Sequence, residues 1–451
     1  MPAQTEHWRS QSRSILRLGG PLIVNYLAVA GMGLADTLMA GRLGASSLAA
    51  VAVGNSVWML NFTACLGVLM AISPIISRLW GAGEHHKIGR YTRHGMYLGI
   101  ALGIAVLLVG RSAVHVLLEA MSIDPGFRDI TVDYTRAVLF GAPGIFIFLA
   151  LRFTTEGVGY TRPIMFTSVF SLICNVVLNY ILMFGHFGAP AMGAEGCGYA
   201  SAITMWIVAI ALGTYITLSP RLKKLEIFTR LGQFRPKLFR EIIVLGVPIS
   251  ITITAEAGLF SAVSILVGTR GAEITAAHQI ALSYASSMFM VPLALSSATT
   301  VQVGHMLGAG RPVQARIAGY AGIGMCAAFM AVSAIVLLVF RDVIVTLYTD
   351  DPVVTGIAMS LMLVAAIFQV ADGIQIGAAA SLRAYKDTAF PMVINIFAYW
   401  IVAFPLGFLA AITYRLPANQ IWAAFIVGLG LAAILLTWRF NRLSRASVLA
   451  A

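Results

Sequence analysis

The sequence has few charged residues for its length. Of its 451 residues, 11% are charged and 59% are hydrophobic, whereas a soluble domain carries about 25% charged residues. So little charge cannot cover the surface of a water-soluble protein of this size. The composition therefore excludes a soluble globular protein and predicts an all-α protein that crosses a membrane several times.

The sequence also lacks several motifs of known chemistry. Its four cysteines are far apart, and three of them lie in apolar segments, so neither a disulfide framework nor a Cys-x-x-Cys metal site is predicted. No lysine is followed by serine or threonine, which excludes a phosphate-binding P-loop. We therefore expect no cofactor and no requirement for an ATPase subunit.

The net charge of +12 could suggest a nucleic-acid partner. The basic residues are, however, scattered over short loops between apolar segments, whereas a nucleic-acid-binding protein gathers them on one face. The expected environment is instead the lipid bilayer, and we expect no nucleic-acid partner.

Twelve apolar stretches are long enough to cross a bilayer, since a transmembrane helix needs about 20 predominantly apolar residues. The predicted spans cover residues 15–40, 50–77, 94–112, 131–152, 163–185, 193–218, 240–267, 275–305, 315–340, 354–381, 388–413 and 419–438.

The distribution of basic residues predicts the orientation of these spans. With the N-terminus in the cytoplasm, 23 of the 30 lysines and arginines fall on the cytoplasmic side, which satisfies the positive-inside rule. An even number of spans then places both termini in the cytoplasm. The seven basic residues left outside are Arg42, Arg111, Arg128, Arg136, Arg270, Arg341 and Arg415.

The two halves of the chain resemble each other at a constant offset of 227 residues, which predicts two six-helix lobes of the same orientation. We expect an N-terminal lobe over 1–220, a basic cytoplasmic linker over 221–239 and a C-terminal lobe over 240–451. The matching segments are Leu18–Pro21 with Leu245–Pro248, Gly41 and Gly44 with Gly268 and Gly271, Ala49–Ala50 with Ala276–Ala277, and Gly81–Gly83 with Gly308–Gly310.

Three acidic residues lie inside the predicted spans: Asp36, Glu256 and Asp372. Glu256 and Asp372 are near the middle of the bilayer, whereas Asp36 is about 9 Å from the outer end of its helix. An acid at such a depth costs roughly 3 kcal/mol to insert, so it is read first as a functional group that exchanges protons or binds a cation such as Na⁺. The alternative is an acid that only holds helices together.

Polar and aromatic residues accompany these acids. Asn175 and Asn179 are one helical turn apart and face the same way, so they either join Asp36 in an ion or proton site or act only as contacts between helices. Phe368 precedes Asp372 by one turn, where its ring could lie beside a bound cation. With 24 phenylalanines in the chain, packing in the core is the alternative for Phe368.

Several segments together resemble the MATE (multidrug and toxic compound extrusion) transporters of the NorM branch, over nearly the whole chain. The chain departs from the family at Gln302, where an arginine is usual, and at Ala384, where a glycine is usual. The segments that carry the resemblance are Met32–Thr37 with Met39–Gly41, Asn175–Tyr180, Gly185–Gly188, Gly196–Gly198, Ala276–Leu282, Gln369–Asp372 and Leu382–Thr388.

The resemblance implies a V-shaped pair of six-helix bundles and export of cationic, amphipathic drugs and dyes in exchange for inward Na⁺ or H⁺. It also implies that the three acids couple transport to the ion, with Asn175 and Asn179 in the first-lobe site. We expect Asp36, Asp372 and Phe368 to contact substrate, and Glu256 with Asp372 to hold the cation. We also expect the protein to be a monomer in a bacterial cytoplasmic membrane.

Two other functions are weighed against this one. A flippase for a lipid-linked or conjugated anionic substrate would need basic residues within the spans, and the candidates, Arg136 and Arg152, are close to span ends. An integral membrane enzyme would use the acids as general acid and base. Its acids would then lie near an interface, which the mid-depth positions do not favour, so we expect a transporter and not an enzyme.

Overall fold

The computed structural model describes residues 2–228 and 234–450, with side chains described from His7 onward. Every regular element in this part of the chain is helical. Eleven helices are long and apolar enough to cross a membrane, and a bent pair of helices provides a twelfth span. The prediction of an all-α membrane protein with twelve spans is confirmed.

The elements are numbered in chain order. They are α1 (Pro2–Arg42), α2 (Ala45–Met70), α3 (Ile72–Gly81), α4 (His85–Ala120), α5 (Pro125–Leu139), α6 (Ala142–Gly157), α7 (Arg162–Phe184), α8 (Gly193–Leu218), α9 (Pro220–Lys223), α10 (Pro236–Gly268), α11 (Ala272–Gly308), α12 (Pro312–Thr346), α13 (Pro352–Ala384), α14 (Ala389–Ile396), the π-helical π1 (Phe397–Ala403), α15 (Phe404–Phe408), the π-helical π2 (Leu409–Thr413) and α16 (Ala418–Leu449).

The fourth predicted span, 131–152, is not a single straight helix. It consists of α5 and α6, whose axes differ by 44°. The break falls at Gly141, which lies against the backbone of Ala202 so closely that a Cβ there would be 2.8 Å from its Cα. Pro143 then occupies the first turn of α6, where its missing N–H costs no helical hydrogen bond.

The internal repeat is present in the backbone at the same offset. Gly44 and Gly271, which precede α2 and α11, have φ of 113° and 115°. Gly83 and Gly310 lie two residues beyond the ends of α3 and α11, with φ of 73° and 68°. Only glycine adopts these angles without strain, so the repeated glycines mark identical turns.

Helix N-termini follow the repeat as well. Asp124 begins α5 and Asp351 begins α13, and in each case the carboxylate accepts a hydrogen bond of 2.8 Å from the backbone N–H two residues later. A proline follows each aspartate at the first helical position. Such caps stabilise a helix by about 1 kcal/mol, and here they start equivalent helices in the two halves.

The chain forms two compact units whose boundaries lie inside helices. The N-unit is Val24–Ser250, and the C-unit is Met1–Ile23 with Ile251–Ala451. The lobes expected from the sequence divide the chain at the linker, so this division differs from them at α1 and α10. The reason is packing: Ile15 belongs to a hydrophobic cluster with Leu295 and Ala298 of α11, and all three side chains are almost fully buried.

The first part of α10 packs within the N-unit through close backbone contact. A Cβ at Gly246 would lie 2.2 Å from the carbonyl oxygen of Val68, and one at Gly67 would lie 2.3 Å from the Cα of Ser250. The Ser250 hydroxyl also donates to the carbonyl of Ala64 at 2.7 Å. These contacts bind α10 to α2 over residues 246–250.

The predicted linker over 221–239 is only partly loop. It contains most of α9, and α10 already begins at Pro236. Residues 229–233 of the linker lie outside the described residues. The described parts are held against α4, because Arg93 donates to the carbonyls of Glu226 and Ile227, and His94 accepts from the backbone N–H of Arg235.

Candidate functional site

A polar site lies in the N-unit around Asp36. The side chain of Asn179 donates to Asp36 Oδ1 at 2.6 Å, and the Ser201 hydroxyl donates to Asp36 Oδ2 at 3.3 Å. Asn175 donates to Ser201 Oγ at 3.4 Å and accepts from Asn179 at 3.3 Å. The structure thus brings α1, α7 and α8 together around one carboxylate.

The chemistry of this site suits a small cation or a proton. Asn179 Oδ1 is buried and has no hydrogen-bond partner among the described residues, and a buried oxygen without a partner is costly. Together with the Asp36 carboxylate and the Ser201 hydroxyl it supplies oxygen donors of the kind that hard cations prefer. The same oxygens can share a proton.

Two residues of this site escaped the sequence reasoning. Ser201 and Cys197 lie one turn apart on α8, and both hydrogen-bond to Asp36. The segment Gly196–Gly198 carries the signal for both residues, because Ser201 lies one turn beyond Cys197. A small polar residue there faces the same way as Cys197.

The second site lies in the C-unit. Asp372 on α13 and Glu256 on α10 interact electrostatically with each other, and Glu256 also interacts with Arg383. Asp372 is 4% exposed, and its Oδ1 atom lacks a hydrogen-bond partner in the part of the chain that the structure describes. The two acids that the sequence paired are therefore close enough to act together.

Phe368 lies in the core beside this site. Its side chain is 2% exposed and packs against Trp422 and Phe425 of α16, with ring centroids 5.6 and 6.1 Å away. Trp422 in turn donates to Nδ1 of the buried His278 at 2.9 Å. This packing agrees with the alternative that Phe368 is a core residue. A contact between Phe368 and substrate stays a prediction.

A fourth acid inside a span, Glu156, was missed. The predicted span ended at residue 152, which left Glu156 in a loop, whereas α6 continues to Gly157 and buries Glu156 to 1% exposure. Arg152 lies 4.0 Å from Glu156 and Ser73 donates to it at 3.2 Å. Arg152 is therefore buried as well, although the sequence placed it near a span end.

The two departures from the family pattern lie within the C-unit. Gln302 donates to the side-chain oxygen of Gln11 at 2.6 Å, so a neutral amide pair joins α1 to α11. Ala384 is fully buried at the end of α13. Both lie away from the acids in sequence, Gln302 by 46 residues from Glu256 and Ala384 by 12 from Asp372.

No group of three or more histidine, cysteine, aspartate or glutamate side chains converges in residues 7–228 and 234–450, where side chains are described. Sites for multivalent metals are usually built from several such ligands. The N-unit site has one carboxylate among neutral groups, and the C-unit site has two carboxylates with Arg383 interacting with Glu256, so the net charge of each site suits a monovalent cation or a proton.

Comparison with known structures agrees with this fold. A eukaryotic MATE transporter, AtDTX14, is 20% identical, with 98% of this chain and 99% of that chain covered and a TM-score of 0.87. An outward-facing multidrug resistance MATE transporter of the MOP superfamily is 19% identical, with 97% and 96% covered and a TM-score of 0.88. A MOP superfamily transporter from Pyrococcus furiosus, whose binding pocket is described as reversed in polarity, is 19% identical, with 97% and 96% covered and a TM-score of 0.85.

The family comparison covers most of the chain and reproduces the repeat. The family model MatE matches residues 21–181 and again residues 248–409, so the two matches begin 227 residues apart. This is the offset at which the glycines and the helix caps recur. The chain is a multi-pass membrane protein and belongs to the MatE family of multidrug and toxic compound extrusion transporters.

Proposed function

We propose that this transporter is an antiporter that exports cationic, amphipathic compounds in exchange for inward H⁺ or Na⁺. The observation that carries the proposal is a carboxylate site inside the apolar spans of each unit: Asp36 accepts from neutral amide and hydroxyl groups in the N-unit, and the buried Asp372 interacts with Glu256 in the C-unit. A carboxylate in such surroundings can be neutralised only by a cation or a proton, and releases it when water gains access.

The membrane potential can drive such a cycle. Moving one charge through 100 mV supplies about 2.3 kcal/mol, so an ion that binds at either acid site on its way inward can drive export of a substrate. Alternating access of the two lobes is the proposed mechanism, as parallel repeats are typical of carriers of this kind. We further propose a monomer in a bacterial cytoplasmic membrane, with both termini in the cytoplasm.

The polarity of the interior favours this proposal over a flippase for anionic substrates. The structural neighbour from Pyrococcus furiosus is described as having a reversed pocket polarity and a different function, so the fold alone does not decide the substrate. In this chain the buried Arg152 faces Glu156 at 4.0 Å. The Glu156 carboxylate compensates the charge of Arg152, so Arg152 would attract an anionic substrate only weakly.

The test is transport of a cationic dye by purified protein in proteoliposomes. We expect efflux under an imposed Na⁺ gradient, an imposed pH gradient or both, and we expect Asp372→Asn to reduce gradient-driven efflux about tenfold or more, a loss of about 1.4 kcal/mol. Asp342→Asn is the matched control, because Asp342 is exposed next to Arg341. Full ion-driven efflux by Asp372→Asn would refute the coupling mechanism.

A further inference from the structure

The eleventh predicted span, 388–413, is not a regular α-helix. Its middle, Phe397–Ala403, is π-helical, with a second π-helical segment at Leu409–Thr413. The stretch related to the first segment by the repeat, residues 170–176, lies within the regular α-helix α7. π-helical turns are rare and are frequent at functional sites, so the irregularity is specific to the C-unit and calls for an explanation.

The π1 segment carries a buried tyrosine next to the acid pair. Tyr399 is fully buried and interacts electrostatically with both Glu256 and Asp372. The next residue, Trp400, donates to the carbonyl of Ala255 at 3.1 Å, which holds π1 against α10 beside Glu256. The π-helical turn therefore places Tyr399 close to Glu256 of α10 and Asp372 of α13.

Four side chains around this point have polar atoms without a hydrogen-bond partner among the residues described. A buried polar group left unpaired is destabilising, so four side chains of this kind together indicate a ligand or solvent that completes their hydrogen bonds. We call them the inner polar cluster, and each is 4% exposed or less. The atoms are Asp372 Oδ1, Gln375 Oε1, Asn395 Oδ1 and Nδ2, and Tyr399 OH.

The cluster extends from the acids in one direction. Gln375 lies one turn beyond Asp372 on α13, and Asn395 lies one turn before Tyr399. Along its helix, Asn395 is about 9 Å from Ala389, and Tyr399 is about 15 Å from it. Along α13, Gln375 is about 14 Å from Ala384, and Asp372 is about 18 Å from it. In each helix the amide residue is therefore nearer the helix end than the residue at the acid pair.

The two helices that carry the inner polar cluster both pack against α16. Ile394 and Ile374, the neighbours of Asn395 and Gln375 in the chain, belong to the same hydrophobic cluster as Ala378 of α13. The cluster thus runs within the C-unit from the acid pair toward the end that carries Ala384 and Ala389. That end is cytoplasmic in the proposed topology.

We propose that the inner polar cluster is the path by which the coupling cation leaves the acid pair toward the cytoplasmic end of the C-unit. The tyrosine hydroxyl can relay a proton, the amides can hold hydrogen-bonded water that relays it, and the oxygens of all these groups can coordinate Na⁺, so the cluster suits either ion. The inference rests on the proposed function, because it requires ion binding at Asp372 and Glu256.

The experiment compares Tyr399→Phe and Asn395→Leu with the parent protein in proteoliposomes, with Tyr284→Phe as the matched control. Tyr284 is a buried tyrosine of the same unit whose hydroxyl already donates to the carbonyl of Ser333 at 3.1 Å. Ion flux driven by dye is followed with ²²Na⁺ under a Na⁺ gradient and with a trapped pH indicator under a pH gradient. Equilibrium binding of the dye is measured in parallel.

Ion flux in Tyr399→Phe and in Asn395→Leu is expected to fall about fivefold or more, which is the effect of one lost hydrogen bond of about 1 kcal/mol. Dye affinity and the Tyr284→Phe flux should stay at the parent values, and the double variant should be no slower than the slower single variant, since both act on one path. A fall in flux under the Na⁺ gradient would identify Na⁺ as the coupling ion, and a fall under the pH gradient would identify H⁺.

Other outcomes separate the two proposals. Parent-like flux in both variants, with Asp372→Asn inactive, would overturn the path while leaving the proposed antiport intact. Equal loss of dye binding and flux would also overturn it, since it would indicate a general packing defect. Full activity of Asp372→Asn would remove the proposed function and the path together.

Discussion

At the residue scale, the N-unit site depends on how Asp36 is surrounded. Its two oxygens accept from different helices, Oδ1 from Asn179 on α7 and Oδ2 from Ser201 on α8. Ser201 also accepts from Asn175. The serine hydroxyl is therefore the link through which α8 contributes to the carboxylate.

We expect Ser201→Ala to weaken ion binding at Asp36, because it removes one donor to the carboxylate and one oxygen from the site. A hydrogen bond of about 1 kcal/mol corresponds to roughly a fivefold increase in the half-saturating ion concentration for dye efflux. The measurement is the ion dependence of efflux in proteoliposomes.

Two variants bracket this result. Ser201→Thr keeps the hydroxyl and should keep the parent ion dependence, and Ser287→Ala, whose hydroxyl bonds only the carbonyl of its own helix at Ser283, serves as the control. An unchanged half-saturating concentration in Ser201→Ala would contradict a role for Ser201 in the site.

The sequence offered a shared site of Asp36, Asn175 and Asn179 as one of two interpretations, because two asparagines one turn apart in an apolar span need a polar neighbour, and the structure shows the contact between Asn179 and Asp36. Ser201 and Tyr399 were not predicted. A single serine or tyrosine in an apolar span has no spacing signal, and its relevance depends on which helix it faces. Glu156 was missed for another reason, since hydropathy ended its span four residues early.

At the scale of elements, glycines decide how closely α2 and α10 approach. Gly246→Ala should destabilise the protein, because the new Cβ would lie 2.2 Å from the carbonyl oxygen of Val68 and one of the two helices would have to shift. Such overpacking costs about 1–3 kcal/mol. We expect a lower melting temperature in detergent and a lower yield of monodisperse protein.

Gly430→Ala is the matched control for this prediction. Gly430 also lies inside a long helix, α16, but a Cβ there meets no atom within 4 Å. Alanine is a better helix former than glycine by about 1 kcal/mol, so this variant should melt at the parent temperature or slightly above it. A Gly246→Ala protein as stable as Gly430→Ala would show that α10 does not pack tightly on α2.

The elements themselves were predictable, but their irregularities were not. Twelve apolar stretches identified the twelve spans, and paired glycines identified the turns between them. The bend at Gly141 and the π-helical turns at Phe397–Ala403 lie within uniformly apolar sequence, where hydropathy does not vary. These features depend on contacts with other helices, such as Ala202 against Gly141.

At the scale of the whole molecule, the proposed orientation can be tested by cysteine labelling. The four native cysteines are free in the described structure, and none is exposed, so they should react little with a water-soluble maleimide and can be kept. His86 and Asp350 are both exposed. Asp350→Cys should react with a membrane-impermeant maleimide in intact cells, whereas His86→Cys should react only after permeabilisation.

The physical reason is the excess of basic residues near the His86 side, which the positive-inside rule assigns to the cytoplasm. The reverse pattern of labelling would contradict the proposed topology. The repeat, unlike the orientation, needs no further test of this kind, because it is visible in the backbone angles of Gly44 and Gly271 and in the family match.

The position of the unit boundaries inside α1 and α10 has a consequence for biosynthesis. The N-unit extends to Ser250, so a nascent chain that has emerged only as far as the linker still lacks the segment that packs on Val68. The C-unit in turn includes the first 23 residues of the chain. These residues are translated first, but Ile15 can pack against Leu295 only after α11 has been made. A gene split at the linker would thus encode two fragments, neither of which contains a whole compact unit, so we expect each fragment to be stable only when the other is expressed in the same cell.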